Sequence, residues 1–143
     1  MNTFEDDITK VIYSAMTGRE GVLSANFDIE AAMNFAVQHN IICILYYGLL
    51  HCGFSEDAAE MVKLFELTYR SAAVSEKQIY EVKKIFERFD AEKLDYMPMK
   101  GIILKNIYPK SEMRAMGDAD ILIRTEQYQA VAGVMNELGY EFQ

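Results

Sequence analysis

The sequence is poor in residues that interrupt or cross-link a chain: two prolines, eight glycines and two cysteines among 143 residues. With hydrophobic residues at 51% and charged ones at 25%, that scarcity excludes disorder, collagen-like repeats and low complexity. Also missing is a run of the roughly 18 apolar residues that a membrane span needs. The longest apolar stretch, Ile41 to Leu50, stops at His51. The N-terminal MNTFEDDITK carries acids where a signal peptide needs bases and an apolar centre. These absences predict a soluble, cytoplasmic protein with no membrane partner. The length suits one ordinary domain and is short for two.

Positive charge is scarce too. Fourteen Lys and Arg stand against 22 Asp and Glu, a net charge of -8. Such a surface repels a phosphate backbone and argues against nucleic acid as a partner. The stretch from Lys100 to Arg114 reverses the balance, with Lys100, Lys105, Lys110 and Arg114 against Glu112 alone, and Asp118 and Asp120 follow directly. Cys43 and Cys52, if on one helix, lie roughly 13 Å apart, beyond the reach of a disulfide. No second Cys/His pair follows His51-Cys52 at metal-ligand spacing, so both thiols are expected to be free, buried and structural.

What is present is helical periodicity. Phe4, Ile8, Val11, Ile12 and Ala15 form one stripe, ended by Gly18. A second helix opens after Asp28 as N-cap and stops at His39-Asn40, and the block from Ile41 to Leu50 reads as a short buried helix closed by Gly53. Ser55, followed by Glu56 and Asp57, predicts the N-cap of a helical stretch reaching Lys93, with Ile79, Val82, Ile85, Phe86 and Phe89 as its inner face. At Leu94 the texture changes. Tyr96 to Met99 predicts an extended run with Pro98 at a strand end, Ile102 to Tyr108 a short helix, and Asp118 to Ile123 a strand. Thr125 predicts the cap of a helix closed by Gly139, and Tyr140 to Gln143 the start of a third strand.

One constellation points to chemistry. Residues two apart on a strand share a face, so Asp118 and Asp120 would project together, and two carboxylates held so close repel unless a cation sits between them. The Lys100-Gly101 turn before a helix start would let an anion approach the backbone. A phosphate anchor beside a carboxylate pair is what metal-assisted phosphoryl or nucleotidyl transfer needs. A lone Asp-x-Asp is also common as a solvated strand end or a cap, and that reading stays open on physics alone.

The run MPMKGIILKNIYPKSEMRAMGDADILI, followed by a helix and ELGY, resembles the uncharacterised nucleotidyltransferases: an apolar strand, Lys-Gly, a short helix ending in Tyr-Pro, then Arg, Gly-Asp-x-Asp and a second apolar strand. The resemblance implies that Asp118 and Asp120 ligate Mg²⁺, that Gly101 faces a nucleoside triphosphate, and that Lys100 and Arg114 are site-lining cations. Ile102 stands where broader nucleotidyltransferases carry Gly or Ser after the turn glycine. It further implies a third carboxylate on a later strand. Glu141 is the only acid after the last predicted helix, so the chain is expected to hold the first half of a site. The fold expected is α+β: an N-terminal helical bundle over residues 1–93, packed as one unit with a partial nucleotidyltransferase-type mixed sheet and flanking helices over 94–143. The function expected is metal-dependent nucleotidyl transfer to an unknown acceptor. The alternative is a non-catalytic module that binds a partner protein, or a second copy of itself, through its helices or an open sheet edge.

Overall fold

The computed structural model describes residues 3–141. The described residues form six α-helices, α1 (Thr3–Thr17), α2 (Ile29–Gln38), α3 (Ile42–His51), α4 (Ala59–Ala91), α5 (Gly101–Lys105) and α6 (Tyr128–Glu137), and two strands, β1 (Tyr96–Pro98) and β2 (Ile121–Ile123). Single turns of 3₁₀-helix at Ser111–Met113 and Thr125–Gln127 precede β2 and α6. The architecture is α+β.

Helix ends fall where local chemistry puts them. Asp28 caps α2 by accepting a hydrogen bond from Ala31 N at 3.0 Å. Asn40, Gly53 and Gly139 take the left-handed conformation after α2, α3 and α6, at φ of 54°, 86° and 86°. Helix α3 packs most extensively against α1, at a contact set by Gly48, where a Cβ would lie 2.3 Å from Val11 O. Beside it the buried Asp7 carboxylate accepts from Ser24 N at 3.1 Å and Ser24 Oγ at 2.5 Å, and pairs with Lys10 Nζ at 3.2 Å. The Ser24 hydroxyl is the main cause holding the Asp7 pKa below the usual carboxylate value. The loop between α1 and α2 is thereby tied to α1.

Helix α4, about 50 Å long by its residue count, is the spine of the molecule. Near its start, Met61 and Leu64 join a core with Val11, Leu45 and Leu49. Near its end, Ile85 and Phe89 join a second core with Val131 and Val134 of α6, against which Tyr96, Ile121 and Ile123 pack. Along the same stripe between the two cores stand Thr68, Ser71, Ser75 and Gln78, so the inner face of the helix turns polar in mid-length.

The sheet differs from the mixed one the sequence suggests. Among the described residues it has two strands, antiparallel, with Tyr96 opposite Ile123, Met97 opposite Leu122 and Pro98 opposite Ile121. The third strand expected at Tyr140 to Gln143 is not formed at Tyr140 or Glu141, and its last two residues lie outside the described ones. β2 begins at Ile121 rather than Asp118 because its partner runs out: Lys100, at φ 40° and ψ -104°, turns the chain into α5. Helix α5 stops at Lys105 rather than Tyr108, because the chain tightens there: Asn106 N and Ile107 N donate to Ile103 O and Leu104 O, three residues back. Ser55 caps a turn, accepting from Asp57 N at 3.4 Å, and α4 starts only at Ala59. Thr125 likewise opens a 3₁₀ turn without a side-chain cap bond, and α6 follows at Tyr128. Cys43 and Cys52 are free; Cys43 is buried, while Cys52 is half-buried and lies 3.8 Å from Ser14 Oγ.

Candidate active site

Asp120 and the Lys-Gly turn meet at one end of the sheet. Met99 N donates to Asp120 O at 3.0 Å, the last backbone bond before the strands part. Beyond it, Asp118, Ala119 and Asp120 run exposed and outside any regular element. Lys100 Nζ lies 3.7 Å from Asp120 Oδ2, with both side chains substantially exposed. An ion pair of that kind contributes about 0–1 kcal/mol and is readily exchanged for another partner. The structure therefore brings Lys100, Gly101 and Asp120 together, with Asp118 two residues away on the same exposed segment.

Gly101 opens α5, and its lack of a side chain has an identifiable cause: a Cβ there would sit 2.9 Å from Met116 Cγ and 3.0 Å from Met116 Sδ. Met116 is itself held in place, because Gln78 of α4 donates to its carbonyl at 2.7 Å. At five residues α5 is too short to build a substantial helix dipole, so the anion attraction expected of its start rests on the free backbone N–H groups and on Lys100.

Arg114 is placed differently. It forms no ion pair with either aspartate among the described residues, and it lines a cavity of about 410 Å³ between α4 and the 111–116 segment. Lys105 lines the same cavity. It is buried, and its Nζ donates to Ser75 Oγ at 2.7 Å and Ser111 O at 3.3 Å. Burial lowers the Lys105 pKa from its ordinary value, and the nearby Arg114 charge adds to that. Glu112 accepts from Tyr47 OH at 2.8 Å, and burial, reinforced by this bond, pushes the tyrosine pKa up. In the sequence Lys105 counts only as one of four neighbouring cations. The signal that it is buried lies elsewhere, in the polar break at Thr68, Ser71, Ser75 and Gln78 in the stripe of α4.

Among the described residues no group of three His, Cys, Asp or Glu could hold a metal by itself. Two exposed carboxylates nevertheless match what Mg²⁺ takes from protein when substrate phosphates and water complete its shell.

The family model described as uncharacterised nucleotidyltransferase matches residues 25–143, and the chain belongs to that family. Neither a curated protein nor a solved structure matches it. Among the described residues no helix is long and apolar enough to cross a membrane.

Proposed function

We propose that this protein transfers a nucleotidyl group from a nucleoside triphosphate to an acceptor hydroxyl, with Asp118 and Asp120 as the residues that hold Mg²⁺ against the triphosphate. The observation that carries this reading is the bond from Met99 N to Asp120 O, which sets Asp120 beside the Lys100-Gly101 turn. Lys100, 74% exposed and only loosely paired, is free to swing from Asp120 to a phosphate oxygen. Gly101 and the first residues of α5 offer backbone N–H groups to the same phosphates. Bound Mg²⁺ would polarise the α-phosphate and favour deprotonation of the acceptor. The acceptor oxygen then bonds to the α-phosphorus, the bond to the β-phosphate breaks, pyrophosphate leaves, and the acceptor proton passes to water.

Isothermal titration of a nonhydrolysable triphosphate with Mg²⁺ tests the proposal. Heat is expected from the wild-type protein and none from Asp118→Asn/Asp120→Asn; equal heats from the two would overturn it. A second reading, a protein-binding module, is favoured by Val62, Phe65 and Tyr69. These form a stripe on α4 and are 45%, 51% and 68% exposed. A chain that stays monomeric in light scattering and retains no protein would count against that reading.

A further inference from the structure

The cavity between α4 and the 111–116 segment is unlike an ordinary packing gap. Its walls include Leu67, Val74 and Met116, but its polar lining carries three cations, Lys105, Arg70 and Arg114, and one acid, Glu112. The acid is already engaged by Tyr47 OH and, at 3.4 Å, by Ser111 Oγ, and no cation lies within ion-pair distance of it among the described residues. The lining therefore has a formal surplus of two positive charges. Glu76, which also acts on the Lys105 charge, stands on the exposed side of α4 and does not line the space.

Lys105 is the central observation. Only 3% of it is exposed, and the two bonds of its ammonium go to neutral oxygens. An ammonium carries three donors, so one remains for a further acceptor. Burying a cation whose direct partners are neutral is costly, and the charges of Glu112 and Glu76 offset only part of that cost. Helix α4 is cut to suit this group. The apolar stripe that runs through Met61 and Leu64 resumes at Val82, and between them the helix sets Ser71, Ser75 and Gln78 opposite Lys105.

We propose that this cavity binds a small molecule bearing a phosphate monoester and an apolar body, the phosphate held by Lys105, Arg70 and Arg114 and the body lying along Leu67 and Val74. The dianion matches the charge surplus, guanidinium groups suit phosphate geometry, and about 410 Å³ falls in the range of small-ligand sites. The lining includes neither Asp118 nor Asp120, so the proposal does not depend on the transfer reading.

Phenyl phosphate titrated calorimetrically into the whole chain in Mg²⁺-free buffer is the test. Wild-type protein is expected to bind it. Lys105→Met should weaken binding about tenfold or more, as loss of a charge-assisted hydrogen bond does, and Arg70→Gln should weaken it severalfold. Asp118→Asn/Asp120→Asn should bind as wild type, which separates this site from the transfer site. If Lys105→Met fails to fold, Arg70→Gln decides, because its side chain is exposed. No heat from wild type up to about 10 mM, unchanged affinity in Arg70→Gln, or loss of binding in the aspartate variant would each overturn the proposal.

Discussion

Helix α3 buries Cys43, Ile44, Leu45, Tyr46, Gly48 and Leu49, whereas the one buried residue of α5 is Lys105. In α5, Ile103 and Leu104 face outward, 46% and 38% exposed, and Ile107 just beyond is 69% exposed. The two helices differ in what surrounds them. α3 is enclosed by α1, α2 and α4, so any apolar side chain it carries finds a partner. α5 leans on the 111–113 turn and on the polar middle of α4, where Lys105 is drawn inward by its bonds to Ser75 and Ser111 while Ile102 is only half-buried. Stability is concentrated in the first region. In the second, the fold takes a charge into its interior at a cost.

The largest effect should come from breaking the first region at its closest contact. Gly48→Ala drives a methyl group toward the Val11 carbonyl, and backbone atoms cannot rotate away as a side chain would. Overpacking of this kind outweighs the better helix propensity of alanine, for a net loss of about 2–3 kcal/mol. Urea denaturation should show a lower midpoint with an unchanged slope. An unchanged midpoint would mean that α1 and α3 are free to separate.

The contrast between the regions also governs what could be read before the fold was known. Asp28, Asn40, Gly53 and Gly139 act through bonds and torsions within a few residues, so the ends they set in α2, α3 and α6 were visible in the sequence. Strand lengths were not. β2 stops short of Asp118 because Lys100 turns its partner away, some twenty residues earlier in the chain. The carboxylate pair and its neighbour Lys100 were legible as a motif, and the backbone bond from Met99 to Asp120 gives that proximity a structural basis. The resemblance gives Arg114 as a site-lining cation, but that it lines the cavity beside α4 was not legible, because that depends on how α4 passes behind the 111–116 segment. Lys105 was hidden for a similar reason: its partner Ser75 lies thirty residues away on a helix whose polar break has meaning only once α5 is seen against it.

The comparison is sharpened by replacing the buried charge with a side chain that α3 would accept. Lys105→Met keeps the length and removes the ammonium, so stability at neutral pH should stay within about 1 kcal/mol of wild type or rise, while phosphate affinity falls. The pH dependence has a definite sign. The Lys105 pKa is lowered in the folded state below the ordinary 10.5, so between the two values the unfolded chain binds more protons. Wild-type stability should therefore rise relative to Lys105→Met as pH climbs through the folded pKa toward that ordinary value. Paired thermal melts across this range measure the difference. A gap that does not change with pH would mean that the lysine is solvated as well in the fold as outside it.

The smallest effect is expected on the exposed apolar side of the second region. Ile107→Gln alters a side chain that joins none of the described cores, so stability should move by less than about 0.5 kcal/mol. The same substitution at a buried position such as Leu49 would strand an amide in a core with no partner. Urea midpoints of Ile107→Gln and Leu49→Gln, measured together, place a number on the asymmetry between the two helices. If Ile107→Gln proved as damaging as its counterpart, the outward face of α5 would have to be covered in solution, and the helix would be a contact surface rather than a free edge.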